Sequence, residues 1–304
     1  MTGQNYMPPT SASIATRQND DEALRLLLAQ RRLYTRAKRW QGARWIGLLI
    51  LGIAAPFVSI LIPGSAVAVG AITGVWLFVG RTFLTAAEVR TMTKAAAVQE
   101  ELDLYIFQMP ETIERASRPT IEDVEMLVRD KQGLRGAARR ERLVDWYDVD
   151  PSHPGAETVA IAQRANASYT DRLIRTAVTV WATVTVGWLA ILLTWGAVSG
   201  LTFGLILLGV LLPVLPAVLD VADYLRSTWR AAQDRGDLAR TIESRLEDQE
   251  PIIGQELISW QTQLYDLRRT TPQVPDWLYK ITRKRNEAAM HAASKRLRRK
   301  KQWR

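Results

Sequence analysis

The chain has 304 residues, with 40 Lys and Arg against 31 Asp and Glu, two His and no Cys. Without Cys it cannot form disulfides, thiol nucleophiles or Cys-based zinc sites, and two His are too few for a histidine-rich metal site. The motifs of phosphate-binding loops, serine hydrolases and zinc proteases are absent from the sequence as well. We therefore expect neither an enzyme nor a bound cofactor or metal.

Two apolar blocks dominate the chain. No charged residue occurs in the 36 positions from Trp45 to Gly80, nor in the 44 positions from Thr176 to Leu219. Each block is about twice the ~20 residues that one transmembrane helix needs. Pro63-Gly64-Ser65 and Ser199-Gly200 lie near their centres and favour turns. We predict an all-α integral membrane protein with four transmembrane helices in two helical hairpins and an all-helical cytoplasmic domain.

Basic residues next to the spans, such as Arg44, Arg81, Arg175 and Arg226, predict that all polar segments and both termini are cytoplasmic. Residues 1–19 are rich in Ser, Thr, Asn and Pro, which predicts disorder. The predicted organisation is a disordered N-terminus (1–19), a cytoplasmic helix (20–44), the first transmembrane hairpin (45–84), a cytoplasmic helical region (85–175), the second hairpin (176–219), another helical region (220–282) and a basic tail (283–304).

The tail contains 10 basic residues and one acidic residue, so its net charge of +9 equals that of the whole chain. Such a cluster can bind anionic lipid or nucleic acid. In a protein already held at an anionic leaflet, lipid is the simpler partner, and nucleic acid is disfavoured.

The third span carries a stripe of small residues at helical spacing, and Trp181, Trp188 and Trp195 lie on roughly the opposite face. The stripe consists of Thr176, Thr179, Thr183, Gly187, Ala190 and Thr194. It suits either close helix packing or a Thr-lined wet surface in an assembled pore. In the fourth span, Pro213 and Pro216 form a candidate hinge, and the helix is predicted to continue to about Leu246.

Several short runs of mostly polar and aromatic residues flank the two apolar blocks. They are Arg17-Gln18-Asn19, Ala29-Gln30-Arg31-Arg32-Leu33-Tyr34 with Ala37-Lys38, Ala97-Val98-Gln99-Glu100-Glu101-Leu102-Asp103 with Phe107 and Pro110, Asp145-Trp146-Tyr147, Gln163-Arg164 with Asn166, Asp171 and Arg175, and Val274-Pro275-Asp276-Trp277-Leu278-Tyr279. In this order around two hairpins, they resemble the SMODS-associated four-transmembrane family of pore-forming effectors.

That resemblance implies an effector of bacterial anti-phage defence in the inner membrane, opened by a cyclic oligonucleotide and causing cell death or arrest. Four spans are too few to enclose a channel, so a pore requires a homo-oligomer. An anionic nucleotide needs Arg forks and aromatic rings. The candidate signal-binding residues are Arg31, Arg32, Tyr34, Gln163, Arg164, Asn166, Arg268, Arg269, Trp277 and Tyr279. The alternative function is a non-conducting membrane scaffold that tethers a cytoplasmic partner.

Overall fold

The computed structural model describes residues 6–62, 64–111, 118–248 and 250–302. Within these ranges every regular element is a helix, which confirms the predicted all-α fold. The helices that carry the apolar blocks are α2 (Asp21–Leu61), α3 (Ala66–Val79), the π-helical segment π1 (Gly80–Leu84), α4 (Thr85–Phe107), α7 (Gly155–Val198), α8 (Phe203–Leu205), the π-helical segment π2 (Ile206–Leu211) and α9 (Leu212–Glu247). The remaining helices are α1 (Ser11–Arg17), α5 (Ile121–Val128), α6 (Gly133–Glu141), α10 (Gly254–Thr270) and α11 (Asp276–Gln302).

Three helices are long and apolar enough to span a membrane, namely Asp21–Leu61, Val67–Phe107 and Gly155–Val198. A fourth span consists of Phe203–Leu211 and Val214–Glu247, which meet at a bend of 58°. The hairpin turns contain Gly64 and Gly200, whose φ angles of +81° and +68° suit a residue without Cβ. Pro63, the first residue of the predicted first turn, lies outside the described residues.

The bend in span four has a backbone cause. Leu212 N–H donates to Leu207 O, five residues back, so the chain is already π-helical before the bend. Pro213 has no N–H, so it cannot donate the next backbone hydrogen bond of the helix. Pro216 follows inside α9. A π-helical turn next to a proline is a common cause of a sharp bend in a helix.

The polar halves of the spanning helices pack together with α10 into one helical domain at one end of the bundle. Its core includes the fully buried side chains of Leu27, Phe107, Ile242, Leu257 and Leu264. Burying each such side chain stabilises the domain by roughly 1.5–3 kcal/mol. α2 and α7 run unbroken from this core through the apolar blocks, and α9 runs from the core to the bend in span four. Continuous helices therefore connect the domain to the spans.

The N-terminal segment is packed, and the prediction of disorder over 1–19 is wrong for its described part, residues 6–19. Ile14 is 0% exposed in the main core, and Tyr6 donates from its hydroxyl to Phe107 O at 2.6 Å. A Cβ on Gly155 would lie 1.8 Å from Pro9 O, so the segment is pressed against the start of α7. The amino-acid composition of the segment does not reveal these contacts. Asp20 then caps α2 by accepting a hydrogen bond from Ala23 N at 2.9 Å.

The described part of the basic tail packs along α7 and runs away from the spans, and its binding to anionic lipid stays a prediction. Leu278 packs near Ile174 and Ala177, whereas Leu297 packs on the main core, so α11 runs antiparallel to α7 and away from the spans. From Asp276 to Leu297 the helix rises about 30 Å, while an anionic leaflet acts over roughly 10 Å. The apolar face of α11 sets this direction, and charge counting could not reveal it.

The tryptophan face of span three points into the bundle. Trp181 stacks on Trp45 with ring centroids 5.3 Å apart, Trp195 lies 5.0 Å from Phe57, and Trp188 packs against the cluster around Val210. The small-residue stripe therefore lies on the outer surface. Apart from the half-buried Thr176 its residues are exposed, and a Cβ on Gly187 would meet nothing within 4 Å. Within one chain the stripe has no helix to pack against.

Candidate functional site

A cleft opens in the polar domain beside the start of the apolar blocks. It has two adjoining lobes, with volumes of about 570 and 740 Å³. The first, the proximal lobe, reaches Ile174 near the membrane end of the domain. The second, the distal lobe, reaches Ile161 and Met290 farther away. Residues such as Arg31, Trp146 and Tyr279 line both, so the two lobes form one continuous cleft.

The walls of the proximal lobe come from every helix that carries a span. Tyr34 lies on α2, Gln99 on α4, Asn166 on α7 and Arg235 on α9. The loop between α10 and α11 closes the lobe with Thr271 and the residues that follow it. A molecule in this cleft therefore touches the extensions of all four spans at once.

The proximal lobe is strongly cationic. Among the described residues, Asp276 is the one acidic residue on its wall, and its carboxylate already binds Lys38 at 2.6 Å. The lining includes eight basic residues, which are Arg31, Lys38, Arg142, Arg235, Arg268, Lys280, Arg283 and Lys284. Such a concentration of positive charge in a partly enclosed space attracts anions.

Aromatic rings accompany these charges. Tyr34, Trp146, Tyr169 and Tyr279 all line the proximal lobe. The Tyr169 and Tyr279 rings lie 6.4 Å apart at 62°, and the Arg283 guanidinium lies 5.9 Å from the Tyr279 ring centre. Aromatic faces of this kind stack on nucleobases with little regard to base identity. Cations and rings together suit a molecule that carries both phosphates and bases.

A buried polar network forms the floor of the cleft. Arg268, only 4% exposed, lies 2.6 Å from Asp103 Oδ2 and 3.3 Å from Glu100 Oε2. Gln261 Nε2 donates to Glu100 at 2.7 Å, and the Tyr147 hydroxyl also bonds Asp103. Burial alone lowers the pKa of the Arg268 guanidinium, but the charges of Asp103 and Glu100 outweigh it and raise the pKa above its usual value. The network therefore holds Arg268 charged and fixed.

Arg235 differs from its neighbour. It is 3% exposed, and its hydrogen bond from Nη2 to Thr271 Oγ1 is long, at 3.3 Å. Its Nε and Nη1 have no hydrogen-bond partner in the part of the chain that the structure describes. Burial, followed by the charge of Arg268, lowers the pKa of Arg235 to about 10. The group is still charged at neutral pH, inside the wall of the cleft.

The structure brings together half of the residues predicted from the sequence to bind the signal. Those that line the cleft are Arg31, Tyr34, Asn166, Arg268 and Tyr279. Their role in binding remains a prediction, but they now share one site with complementary chemistry. Tyr34 is also held in place, because its hydroxyl donates to Gln99 Oε1 at 2.9 Å.

The other five predicted residues lie outside the cleft and make structural contacts. Arg32 bonds Asp130 at 3.0 Å, and Arg164 bonds Glu243 at 2.8 Å. Gln163 Nε2 donates to Leu257 O at 2.9 Å. Arg269 pairs on the surface with Asp266, and Trp277 is 47% exposed away from the lobes.

Sequence reasoning missed Arg235. The sequence did contain a signal for it. Arg235 continues the buried stripe of α9, which includes Thr228, Ala232, Leu238 and Ile242. A charged residue at a core position of a helix is rarely tolerated without a partner or a function. Arg268 occupies the same kind of position on α10, after Leu257, Gln261 and Leu264. A search for charges on apolar stripes would have found both.

Comparison with known proteins places the chain in one family. No curated protein and no solved structure matches it significantly. A family model, described as the SMODS-associating 4TM effector domain, matches residues 12–297 and so includes the cleft and all four spans. The chain therefore belongs to the SMODS-associating 4TM effector domain family and is a membrane effector.

Proposed function

We propose that this protein is a pore-forming effector of bacterial anti-phage defence, opened by a cyclic oligonucleotide that binds in the cleft. The observation that carries the proposal is the make-up of the cleft, where basic and aromatic side chains from all four span-carrying helices meet. The family supports a membrane effector that acts with a SMODS partner. Opening would disrupt the inner membrane and kill or arrest the infected cell.

The chemistry of the cleft supports a nucleotide signal. Arg presents a planar fork of donors that matches phosphate oxygens, and the nearby rings offer stacking surfaces. Each lobe has the volume of an ordinary small-molecule site. A cyclic oligonucleotide combines several phosphodiesters with several bases, so it can use the cations and the rings of both lobes at once.

The helices supply a direct connection from the cleft to the spans. Arg235 and Asp220 lie on the same helix, α9, about 22 Å apart at 1.5 Å per residue. Asp220 accepts from Arg81 Nε at 2.8 Å, and Asp223 accepts from Arg81 Nη2 at 3.1 Å. These ion pairs join span two to span four where both spans leave the apolar block. A ligand that moves α9 therefore acts on this junction.

The pore itself requires several copies of the chain. The outward stripe on span three offers small side chains on which a helix of another copy can pack closely, and its Thr hydroxyls suit a wet surface equally well. Both interpretations place the stripe at the centre of an assembly. The Thr176 and Thr179 hydroxyls donate to backbone carbonyls four residues back, so they do not hold the spans of one chain together.

Gly187→Leu should impair assembly or conductance without unfolding the four-helix unit. A Cβ at this position meets nothing within 4 Å among the described residues, so the larger side chain starts in open space and would keep a neighbouring helix away. Crosslinking in native membranes and dye release would detect the loss. Trp188→Leu is the matched comparison, because it removes a ring from the cluster around Val210 and should lower stability first. Normal assembly of Gly187→Leu would contradict a role for the stripe in oligomerisation.

We infer that both termini lie in the cytoplasm, because the basic residues nearest the spans are on the side of the polar domain. Alkaline phosphatase inserted after Gly64 or Gly200 should be active, and green fluorescent protein at either terminus should fluoresce. The opposite pattern would reverse the orientation and place the cleft outside the reach of a cytoplasmic signal.

Dye release from liposomes tests the proposed function. Purified protein in vesicles should release an entrapped dye when cyclic diadenylate, cyclic diguanylate or cyclic triadenylate is added, and AMP should have no effect. At least one cyclic compound is expected to act. If none of a wide panel releases dye although the protein is folded and correctly inserted, the pore hypothesis fails and the non-conducting scaffold is favoured.

A further inference from the structure

Arg235 is a buried cation, and two of its donor atoms, Nε and Nη1, have no hydrogen-bond partner in the described ranges. No carboxylate oxygen in the described ranges lies within 4.0 Å of its guanidinium, and its remaining contact is the long bond to Thr271 Oγ1. After burial, the like charge of Arg268 lowers the pKa of Arg235 further, and the smaller effects of Tyr34 and Asp171 oppose it. A structure rarely keeps such a group without a reason, because an unpaired buried charge is strongly unfavourable.

Other cations of the cleft are compensated within the chain. Lys38 binds Asp276 at 2.6 Å, Arg31 lies 3.5 Å from Glu141, and Arg268 has two carboxylates. Arg142, Lys280 and Lys284 are exposed, so water solvates them. Arg235 is buried, and no carboxylate oxygen of the described residues lies within ion-pair distance of it. A ligand in the cleft can supply the partner that its Nε and Nη1 lack there.

We propose that Arg235 is the phosphate anchor of the cleft, forming a bidentate contact with a phosphodiester of the bound ligand. This inference rests on the proposed function in taking the cleft as the signal site, and it names the group that the site recognises first. Arg268 lines the same lobe, and Asp103 and Glu100 hold it in place and already compensate its charge. The ring of Tyr34, which also lines this part of the lobe, provides a wall next to the phosphate.

The position of the anchor makes the ligand a bridge between helices. Arg235 lies on α9, whereas the other walls of the lobe come from α2, α4, α7 and the loop before α11. In the empty cleft the repulsion between Arg235 and Arg268 favours separation of α9 from α10. A phosphate between them reverses that preference, so binding and the position of span four become linked.

Thermal unfolding of the full-length protein in detergent tests the anchor, with pyrophosphate, cyclic diadenylate, cyclic diguanylate and cyclic triadenylate as probes. The variants are Arg235→Met and Arg235→Gln, which remove the charge and keep much of the volume. Arg240→Met is the control, because Arg240 lies on the same helix outside the cleft, with its side chain 72% exposed. Without ligand, Arg235→Met should keep its Tm or gain about 2–4 °C, since it removes an uncompensated charge.

Pyrophosphate and at least one cyclic compound should raise the Tm of the unmodified protein and of Arg240→Met. In both Arg235 variants the apparent Kd for these compounds should increase about tenfold to hundredfold, as expected when a charge-assisted phosphate contact is lost. Equal stabilisation of the Arg235 variants would overturn the anchor. A large drop in Tm of both variants without ligand would assign Arg235 a structural role and would overturn it as well.

The probes separate this inference from the proposed function. If pyrophosphate stabilises the protein through Arg235 and no cyclic oligonucleotide does, the anchor stands and the signal is another phosphate compound. If cyclic oligonucleotides bind independently of Arg235, the proposed function stands and the anchor does not. If no phosphate compound changes the Tm, the anchor is wrong.

Discussion

Arg268→Met should lower the free energy of unfolding by about 3–5 kcal/mol, because it leaves Glu100 and Asp103 buried without their cation. Both carboxylates are almost fully inaccessible to water, and the neutral donors Gln261 and Tyr147 cannot balance their charge. Thermal and denaturant unfolding in detergent would measure the loss.

Arg269→Met is the matched control for this prediction. Arg269 is the next residue on α10 and forms an exposed pair with Asp266 and a contact with the Tyr265 ring at 5.6 Å, so the change should cost less than about 1 kcal/mol. Adding Glu100→Gln and Asp103→Asn to Arg268→Met should recover part of the stability, because the buried charges disappear together. If Arg268→Met is as stable as the control, the network does not hold the floor of the cleft.

Replacing Pro213 and Pro216 together by Ala should change signal-dependent permeability by tenfold or more while signal binding stays intact. Alanine supplies the N–H groups that proline lacks, so the helix can continue across the bend and the 58° angle between the two parts of span four should decrease. A shift of only 1.4 kcal/mol between closed and open states changes their ratio tenfold. Liposome dye release and a binding assay on the same preparation would separate the two effects.

Pro56→Ala offers the comparison for the hinge. Pro56 also lies inside an apolar helix, but in α2, which continues past it to Leu61 without a break. It should alter permeability much less than the double change. If the double change leaves signal-dependent dye release unaltered, the protein can still form a pore, but the bend in span four does not control its opening.

The fold was predictable because long stretches without charge leave few alternatives. Two blocks with central turn residues can form only hairpins of membrane length, and the caps at Asp20 and Thr120 follow ordinary helix chemistry. The N-terminus was mispredicted because its composition resembles that of disordered chains, while single anchors such as Ile14 hold it in the core.

The site was only half predictable because sequence runs do not distinguish structural from ligand-facing polar residues. Gln18 illustrates the difficulty, since it belongs to one such run and its side chain bonds both the N–H and the carbonyl of Tyr147 in another. Arg164 and Gln163 are used in the same structural way. Arg235 belongs to no run. Its position on the apolar stripe of α9 could have indicated burial, but only the structure shows that it lies at the wall of the cleft with two unpartnered donor atoms.

Conductance across a planar bilayer, with signal added to one side at a time, tests most directly whether binding in the cleft opens the spans. A cyclic oligonucleotide that binds the protein should raise the conductance when it reaches the side of the polar domain. It should have no effect from the opposite side, and Arg235→Met should respond only at about tenfold to hundredfold higher concentration. Bound signal without any conductance from either side, or an equal response of Arg235→Met, would contradict a pore that is opened through this cleft.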